Sequence, residues 1–133
     1  MKKEKKAIVE ILIKRSDVLF AYLFGSKVKG YANKRSDWDI AIYFNSSIKQ
    51  NSHWPAFELE AELSRAVKAT VQVTALNSEL SPVFGFEIIN DRVLLIDRDP
   101  NFRMDFENRI LRHYHDWQYF LNRQIVAERQ TTI

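Results

Sequence analysis

Apolar residues follow two kinds of spacing along this chain, and each kind indicates a different secondary structure. Continuous apolar runs that end at glycine or polar residues are typical of buried strands, and alternation with polar residues is typical of half-buried strands. Apolar residues three or four positions apart are typical of helices with one buried face. The strand patterns cover 18–24, 39–44, 71–76 and 92–96. The helical patterns cover 5–14, 55–68, 82–89 and a C-terminal stretch of about 20 residues from Pro100.

The predicted order is helix, strand, strand, helix, strand, helix, strand, helix, without a regular strand–helix–strand repeat. It predicts an α/β or α+β fold, in which a small mixed sheet of about four strands has helices packed on one face. Pro55 and Pro82 suit the first turn of a helix, and Ser81 is a typical N-cap residue. The chain has 133 residues, the size of one domain, so residues 1–133 are expected to form a single domain.

The composition excludes some kinds of site. The chain contains no cysteine, which excludes disulfides and thiolate metal sites and fits the reducing cytoplasm. The apolar run near the start is too short to cross a membrane and lacks a small-residue cleavage site, so neither a membrane span nor a signal peptide is expected. The formal net charge of +3 is a weak bias and says little about partners.

Basic residues cluster between the first two predicted strands. Lys27, Lys29, Lys34 and Arg35 fall within nine positions that contain no acidic residue. A cluster of this kind is either a solvated loop or a basic rim that attracts phosphate, and the sequence leaves both interpretations open.

The most informative pattern joins the ends of these two strands. Gly25-Ser26 ends the first strand, and after ten residues Asp37-Trp38-Asp39 opens the second. Alternate strand residues point the same way, so the two carboxylates are expected on one face about 7 Å apart. Paired carboxylates repel each other, and a hard divalent cation such as Mg²⁺ relieves the repulsion while taking its remaining ligands from water and phosphate.

Gly25 and Ser26 supply the complementary half of the predicted site. Glycine at a strand end permits close approach of the backbone to a ligand, and the serine hydroxyl and the following amides can donate to phosphate oxygens. Each half of the pattern also occurs for structural reasons alone, in turns and at strand starts. The two halves together, between two buried strands, favour a site that holds a magnesium–nucleoside triphosphate and transfers the nucleotidyl group.

Here the chain resembles the polymerase-β-like nucleotidyltransferase superfamily, whose signature is Gly-Ser followed after about ten residues by Asp-x-Asp. It looks closest to the small MNT-type members, which are antitoxins paired with HEPN-domain ribonuclease toxins. The resemblance implies a nucleotidyltransferase core, Asp37 and Asp39 as catalytic metal ligands, and Gly25 and Ser26 as phosphate binders. It further implies Mg²⁺, ATP as donor, and transfer of AMP to a tyrosine of the toxin in a hetero-oligomer that silences the toxin. Direct nucleic-acid binding is not expected.

One position departs from the resemblance. Where the family often carries a third carboxylate on the later strand, this chain has Gln72 within Val71-Gln72-Val73-Thr74. A neutral amide binds a second metal weakly and cannot deprotonate an incoming hydroxyl. Glu79, just past that strand, is a possible substitute. A slow enzyme and an inactive antitoxin that acts by binding alone are both compatible with this residue.

Two further alternatives concern other residues and another substrate. An antibiotic-type nucleotidyltransferase would share this core, but such enzymes usually add a second domain for which this chain has no room. The three histidines, His53, His113 and His115, do not form a ligand pair, because the last two face apart on a helix. Tyr114, Trp117 and Tyr119 on the last helix suit a core or partner-facing stripe better than stacking on a base.

Overall fold

The computed structural model describes residues 2–29, 37–45 and 54–131. Its helices are α1 (Lys2–Lys14), α2 (Ser26–Lys29), α3 (Trp54–Val67), α4 (Pro82–Asp91) and α5 (Pro100–Thr131). Its strands are β1 (Val18–Phe24), β2 (Trp38–Phe44), β3 (Val71–Ala75) and β4 (Val93–Asp97). The eight predicted elements are therefore confirmed, and α2 is an additional short helix between β1 and β2.

Two boundaries differ from the prediction. The turn expected at Asn90-Asp91 is the end of α4, and β4 begins only at Val93. Helix α5 has 32 residues instead of about 20, although its regular apolar stripe ends near Leu121. No glycine or proline follows Pro100, and good helix formers continue to the end of the helix, so nothing in the sequence stops it.

The four strands form one mixed sheet in the order β3-β2-β1-β4. Strand β1 pairs antiparallel with β2 and with β4, whereas β2 and β3 run parallel. The sheet therefore has β1 and β2 at its centre and β3 at one edge. This order brings the end of β1 beside the start of β2 and the start of β3, where the candidate functional residues lie.

Helices cover both faces of the sheet, so the expectation of helices on one face was wrong. One apolar cluster joins α1 and α3 to one face, and a second joins α4 and α5 to the other. The central strands explain this difference, because their apolar runs are continuous rather than alternating and therefore need cover on both sides. In β1, Ala21 and Leu23 belong to the first cluster, and Tyr22 and Phe24 belong to the second.

A buried polar group ties α5 to the central strand. Tyr22 donates to Glu107 Oε2 at 2.6 Å, and Arg92 and Arg103 both pair with the same carboxylate at 3.1 Å. Burial, and then the Glu107 carboxylate, raise the pKa of the Tyr22 phenol. The phenol therefore stays protonated and donates this hydrogen bond, which holds α5 over the second cluster.

The outer edge of β3 is closed by side chains of α3. Val71 and Val73 direct their amides away from β2, towards α3. Ser64 Oγ accepts from the Val71 amide at 3.1 Å, and Glu60 Oε1 accepts from the Val73 amide at 2.9 Å.

Among the described residues no helix is long and apolar enough to span a membrane.

Candidate functional site

Gly25 and Asp39 lie against each other at the junction of β1 and β2. Phe24 is the register partner of Asp39, and Gly25 follows with φ of +81°, in the region that glycine adopts readily. A Cβ atom at position 25 would lie 3.2 Å from Asp39 Cγ and would collide with Oδ2. Glycine is thus required here both by the backbone conformation and by the closeness of the carboxylate.

Ser26 begins α2 immediately after this glycine. The amides of Val28 and Lys29 both donate to Gly25 O, at 3.0 and 3.2 Å, which closes the turn. The Ser26 amide, at the first position of the helix, has no partner within the helix itself. Its hydroxyl and amide are thus carried on a fixed turn beside Asp39, in a half-buried position.

Asp37 and Asp39 share one side of β2, and Trp38 between them is buried on the opposite side. Both aspartates are half-buried. Burial raises the pKa of the Asp39 carboxyl, and the negative charge of Asp37 raises it further. The pair therefore carries a repulsion of the kind that a bound cation relieves.

Gln72 lies on the same side of the sheet as the aspartates. It is the register partner of Asp39 on β3, and its Nε2 donates to Asp37 Oδ2 at 3.2 Å. Its side chain is exposed rather than buried in the core. Glu79 is not brought to this place, because it follows the far end of β3, where it lines a groove with Tyr43 and Arg109. The structure thus offers an amide, not Glu79, beside the two carboxylates.

The described half of the basic cluster, Lys27 and Lys29, lies on helix α2 and makes contacts within the fold. Lys27 is 8% exposed, and its ammonium lies over the Trp38 ring, 4.9 Å from the centroid. Lys29 pairs with Asp91 at the end of α4, at 3.2 Å. Lys34 and Arg35 lie outside the described residues. The first half of the cluster therefore packs α2 onto the fold, a role that follows from the nearby Trp38 and that charge spacing alone does not reveal.

His113, His115 and the aromatic residues of α5 lie away from this site. His113 and His115 are exposed on α5, and His53 lies outside the described residues. Tyr114 stacks on Phe86 of α4, with ring centroids 4.0 Å apart, and Trp117 stacks in turn on Tyr114. These rings join two helices, as expected for a packing stripe, and Tyr119 is exposed.

The carboxylate oxygens of Asp37 and Asp39 supply part of the ligands that a hard cation such as Mg²⁺ needs. Among the described residues no three histidine, cysteine, aspartate or glutamate side chains lie together. Asp37 and Asp39 therefore have no third ligand of this kind beside them. Mg²⁺ commonly binds to one or two carboxylates and takes its other ligands from water and substrate phosphates. The pair is therefore a sufficient protein contribution when phosphates are supplied by a bound nucleotide.

The sequence matches the family described as Polymerase beta, Nucleotidyltransferase over residues 6–101. This match spans well over half of the chain, and the chain therefore belongs to the polymerase-β-type nucleotidyltransferases. Among curated proteins no sequence matches significantly.

Several solved structures share the whole fold. A chain of a toxin–antitoxin crystallised with AMP-PNP superposes with a TM-score of 0.71 at 23% identity, over 96% of this chain and 98% of that one. For a chain of the toxin–antitoxin MntA–HepT the TM-score is 0.69 at 20% identity, over 98% of this chain and 99% of that one. For a chain of the complex between the tri-AMPylated HEPN toxin of Shewanella oneidensis and MNT antitoxin, the TM-score is 0.66 at 20% identity, over 96% of this chain and 98% of that one. These likenesses confirm the predicted nucleotidyltransferase fold with its long C-terminal helix.

Proposed function

We propose that this protein is an MNT-type antitoxin that transfers AMP from ATP to a tyrosine of a partner HEPN ribonuclease toxin in the cytoplasm and thereby neutralises it. The observation that carries the proposal is the contact between Gly25 and Asp39, which joins a phosphate-binding turn to a pair of carboxylates. Family membership supports nucleotidyl transfer as the reaction. The similar structures, which include a toxin–antitoxin with AMP-PNP and a tri-AMPylated HEPN toxin, support ATP as donor and a HEPN toxin as acceptor.

In the proposed reaction the triphosphate lies between the Ser26 turn and the two aspartates. Ser26 donates to phosphate oxygens, and Asp37 and Asp39 hold Mg²⁺. When bound, the cation supplies neutralisation of the charge on the phosphate oxygens. The tyrosine oxygen forms a bond to the α-phosphorus while the bond to the bridging oxygen breaks, and pyrophosphate leaves with the electron pair. The hydroxyl proton passes to solvent, because the Gln72 amide cannot accept it.

Transfer of label from α-labelled ATP to a HEPN toxin tests the proposal directly. We expect label on the toxin with Mg²⁺, none in EDTA, and none with Asp37→Asn or Asp39→Asn. Exposed Glu79, at the far end of β3, provides a matched control, and Glu79→Gln is expected to transfer at the wild-type rate. Transfer that is undiminished in EDTA would remove the metal from the mechanism, and wild-type transfer by both aspartate variants would remove these carboxylates.

Gln72 supports one alternative, a member of the fold that neutralises its partner by binding alone. Its amide stands on the strand beside Asp39, where a third carboxylate would supply a base. The two functions differ in one result. If the Asp39→Asn variant inhibits the ribonuclease as strongly as the wild type does, inhibition comes from binding, and if it does not, inhibition requires transfer.

A further inference from the structure

A groove runs between helix α3 and the outer edge of strand β3, and it ends at the candidate site. We call it the α3–β3 groove. It has a volume of about 630 Å³ and is lined by Phe57, Glu60, Ala61, Ser64, Thr70, Val71 and Gln72. A smaller groove of about 310 Å³ continues it along β3 and shares Phe57 and Glu60 with it. Phe57 and Glu60 therefore lie between the two grooves and line both of them.

The strand order places this groove on the side from which an acceptor must come. The Gly25-Ser26 turn follows β1, the aspartates lie on β2, and Gln72 lies on β3. Displacement at phosphorus needs the attacking and leaving oxygens roughly in line. If pyrophosphate leaves over the turn at β1, the attacking hydroxyl arrives from β3. Gln72 links the two regions, since it lines the groove and donates to Asp37 at 3.2 Å.

The lining residues indicate what kind of acceptor fits. Among the described residues that line the α3–β3 groove, Glu60 is the only ionisable one. A nucleic-acid strand depends on lysine and arginine to neutralise its phosphates, so this lining does not suit one. Phe57 is 62% exposed, and Trp54, one helical turn earlier on the same side of α3, is 67% exposed. Two exposed aromatic rings beside a groove whose described lining contains no lysine or arginine suit the apolar side chains of a protein segment.

The edge of β3 further restricts how such a segment binds. Ser64 and Glu60 already accept from the outward amides of β3. An added strand would have to displace both side chains, so side-chain contacts, not strand addition, must hold the segment.

We infer that the α3–β3 groove holds the partner protein's acceptor segment, with apolar side chains on Phe57 and Trp54 and the acceptor hydroxyl reaching the aspartates past Gln72. This inference rests on the proposed function, because it assigns an acceptor to that reaction. It makes Phe57 a residue that determines acceptor specificity and gives it no part in binding ATP.

The first test is steady-state transfer by a Phe57→Ala variant, with Leu94→Ala as control. Leu94 is an exposed apolar residue on β4, at the opposite edge of the sheet. We expect Phe57→Ala to raise the KM for the partner about tenfold, as the loss of about 1.4 kcal/mol of binding requires. The KM for ATP and the melting temperature should stay at wild-type values, and Leu94→Ala should change none of these quantities. An unchanged KM for the partner in Phe57→Ala would overturn the inference.

A photocrosslinking test locates the acceptor without relying on a rate. Benzoylphenylalanine replaces Phe57 in one sample and Leu94 in another, and α,β-methylene ATP blocks transfer in both. We expect the probe in place of Phe57 to crosslink to the partner peptide that carries the tyrosine labelled by the wild type. A crosslink only to other peptides, or none, counts against the groove. If the wild type labels no partner at all, the proposed function fails first, and that result differs from normal labelling with an unaffected Phe57→Ala variant.

Discussion

The carboxylate of Asp39 occupies the space that a Cβ atom at position 25 would need. This contact couples the two halves of the candidate site, because anything larger than glycine at position 25 displaces the Asp39 carboxylate. It also predicts how the two positions depend on each other in a folding experiment.

Gly25→Ala is expected to abolish ATP binding and to destabilise the fold. The positive φ alone costs a non-glycine residue about 1–2 kcal/mol, and the collision with Asp39 adds to that. The Asp39→Ala variant removes the colliding atoms but not the φ cost. In its background Gly25→Ala should therefore cost less free energy of unfolding than in the wild type, as measured by urea denaturation. If the two substitutions changed the free energy of unfolding additively, the contact between Gly25 and Asp39 would be unimportant for stability.

Ser26→Ala is expected to weaken ATP binding without affecting the fold. Loss of one hydrogen bond to a charged group costs about 1.5–3 kcal/mol, or roughly ten- to a hundredfold in Kd. Calorimetry with Mg-ATP measures the change. Ser78→Ala is a suitable control, since Ser78 is exposed and its hydroxyl donates to Ala75 O at the far end of β3. Equal affinities for the Ser26→Ala variant and the wild type would exclude the hydroxyl from the phosphate site.

Asp39→Asn is expected to stabilise the metal-free protein at neutral pH. The raised pKa of Asp39 means that the native state holds its proton more tightly than the unfolded state does. Ionisation therefore penalises folding as pH rises above the unfolded pKa of about 4, and the penalty is absent below it. Melting curves in EDTA should show the variant above the wild type at pH 7, and the difference should vanish near pH 3.

Asp17 provides a control of opposite sign. Its hydrogen bonds from Arg15, at 2.9 and 2.7 Å, lower the pKa of Asp17, so its stabilisation is full at neutral pH and is lost on acidification. Asp17→Asn should cost up to about 1 kcal/mol at pH 7, because the pair is partly exposed. If both variants changed the melting temperature in the same direction at pH 7, the raised pKa of Asp39 and the lowered pKa of Asp17 would be contradicted.

Gln72→Glu is expected to accelerate transfer while leaving stability nearly unchanged. Its side chain is exposed beside Asp37, so a carboxylate there meets solvent and the cleft, not the core. It would add an anionic ligand and a base for the attacking hydroxyl, worth about ten- to a thousandfold where proton transfer limits the rate. Gln72→Ala, which removes the amide without adding a base, is the matched control. A Gln72→Glu rate no higher than that of the wild type would show that proton transfer does not limit the reaction.

The parts of this molecule that follow from local pattern were predictable from the sequence. Continuous apolar runs identify β1 and β2, and their ends place Gly25 near Asp39 because consecutive strands commonly pair. Ser81 accepts from the Phe84 amide at 3.1 Å, as its place before Pro82 predicts. Gln72, which stands where the resemblance implies a third carboxylate, is the register partner of Asp39 on β3.

The parts that depend on contacts distant in sequence were not predictable in this way. Whether helices cover both faces of the sheet depends on which helix packs against each side of β1. The spacing of apolar residues along the sequence does not reveal that. From the sequence alone, Lys27 is expected to be a surface charge, because only the fold places the Trp38 ring beneath its ammonium. Phe57 lies outside the buried stripe of Leu59 and Leu63, and a helical wheel could have shown it as an exposed aromatic residue. The groove beside it appears only once β3 is placed next to α3.

The closed edge of β3 has a consequence for how copies of this protein behave at high concentration. An open edge strand offers a row of amides on which another chain can build, and this is a common route to aggregation. Here Ser64 and Glu60 occupy the outward amides of Val71 and Val73, and Ser78 donates to the outward carbonyl of Ala75. Helix α3 and Ser78 therefore protect this edge from pairing with another sheet, although the exposed rings of Trp54 and Phe57 lie on the same helix.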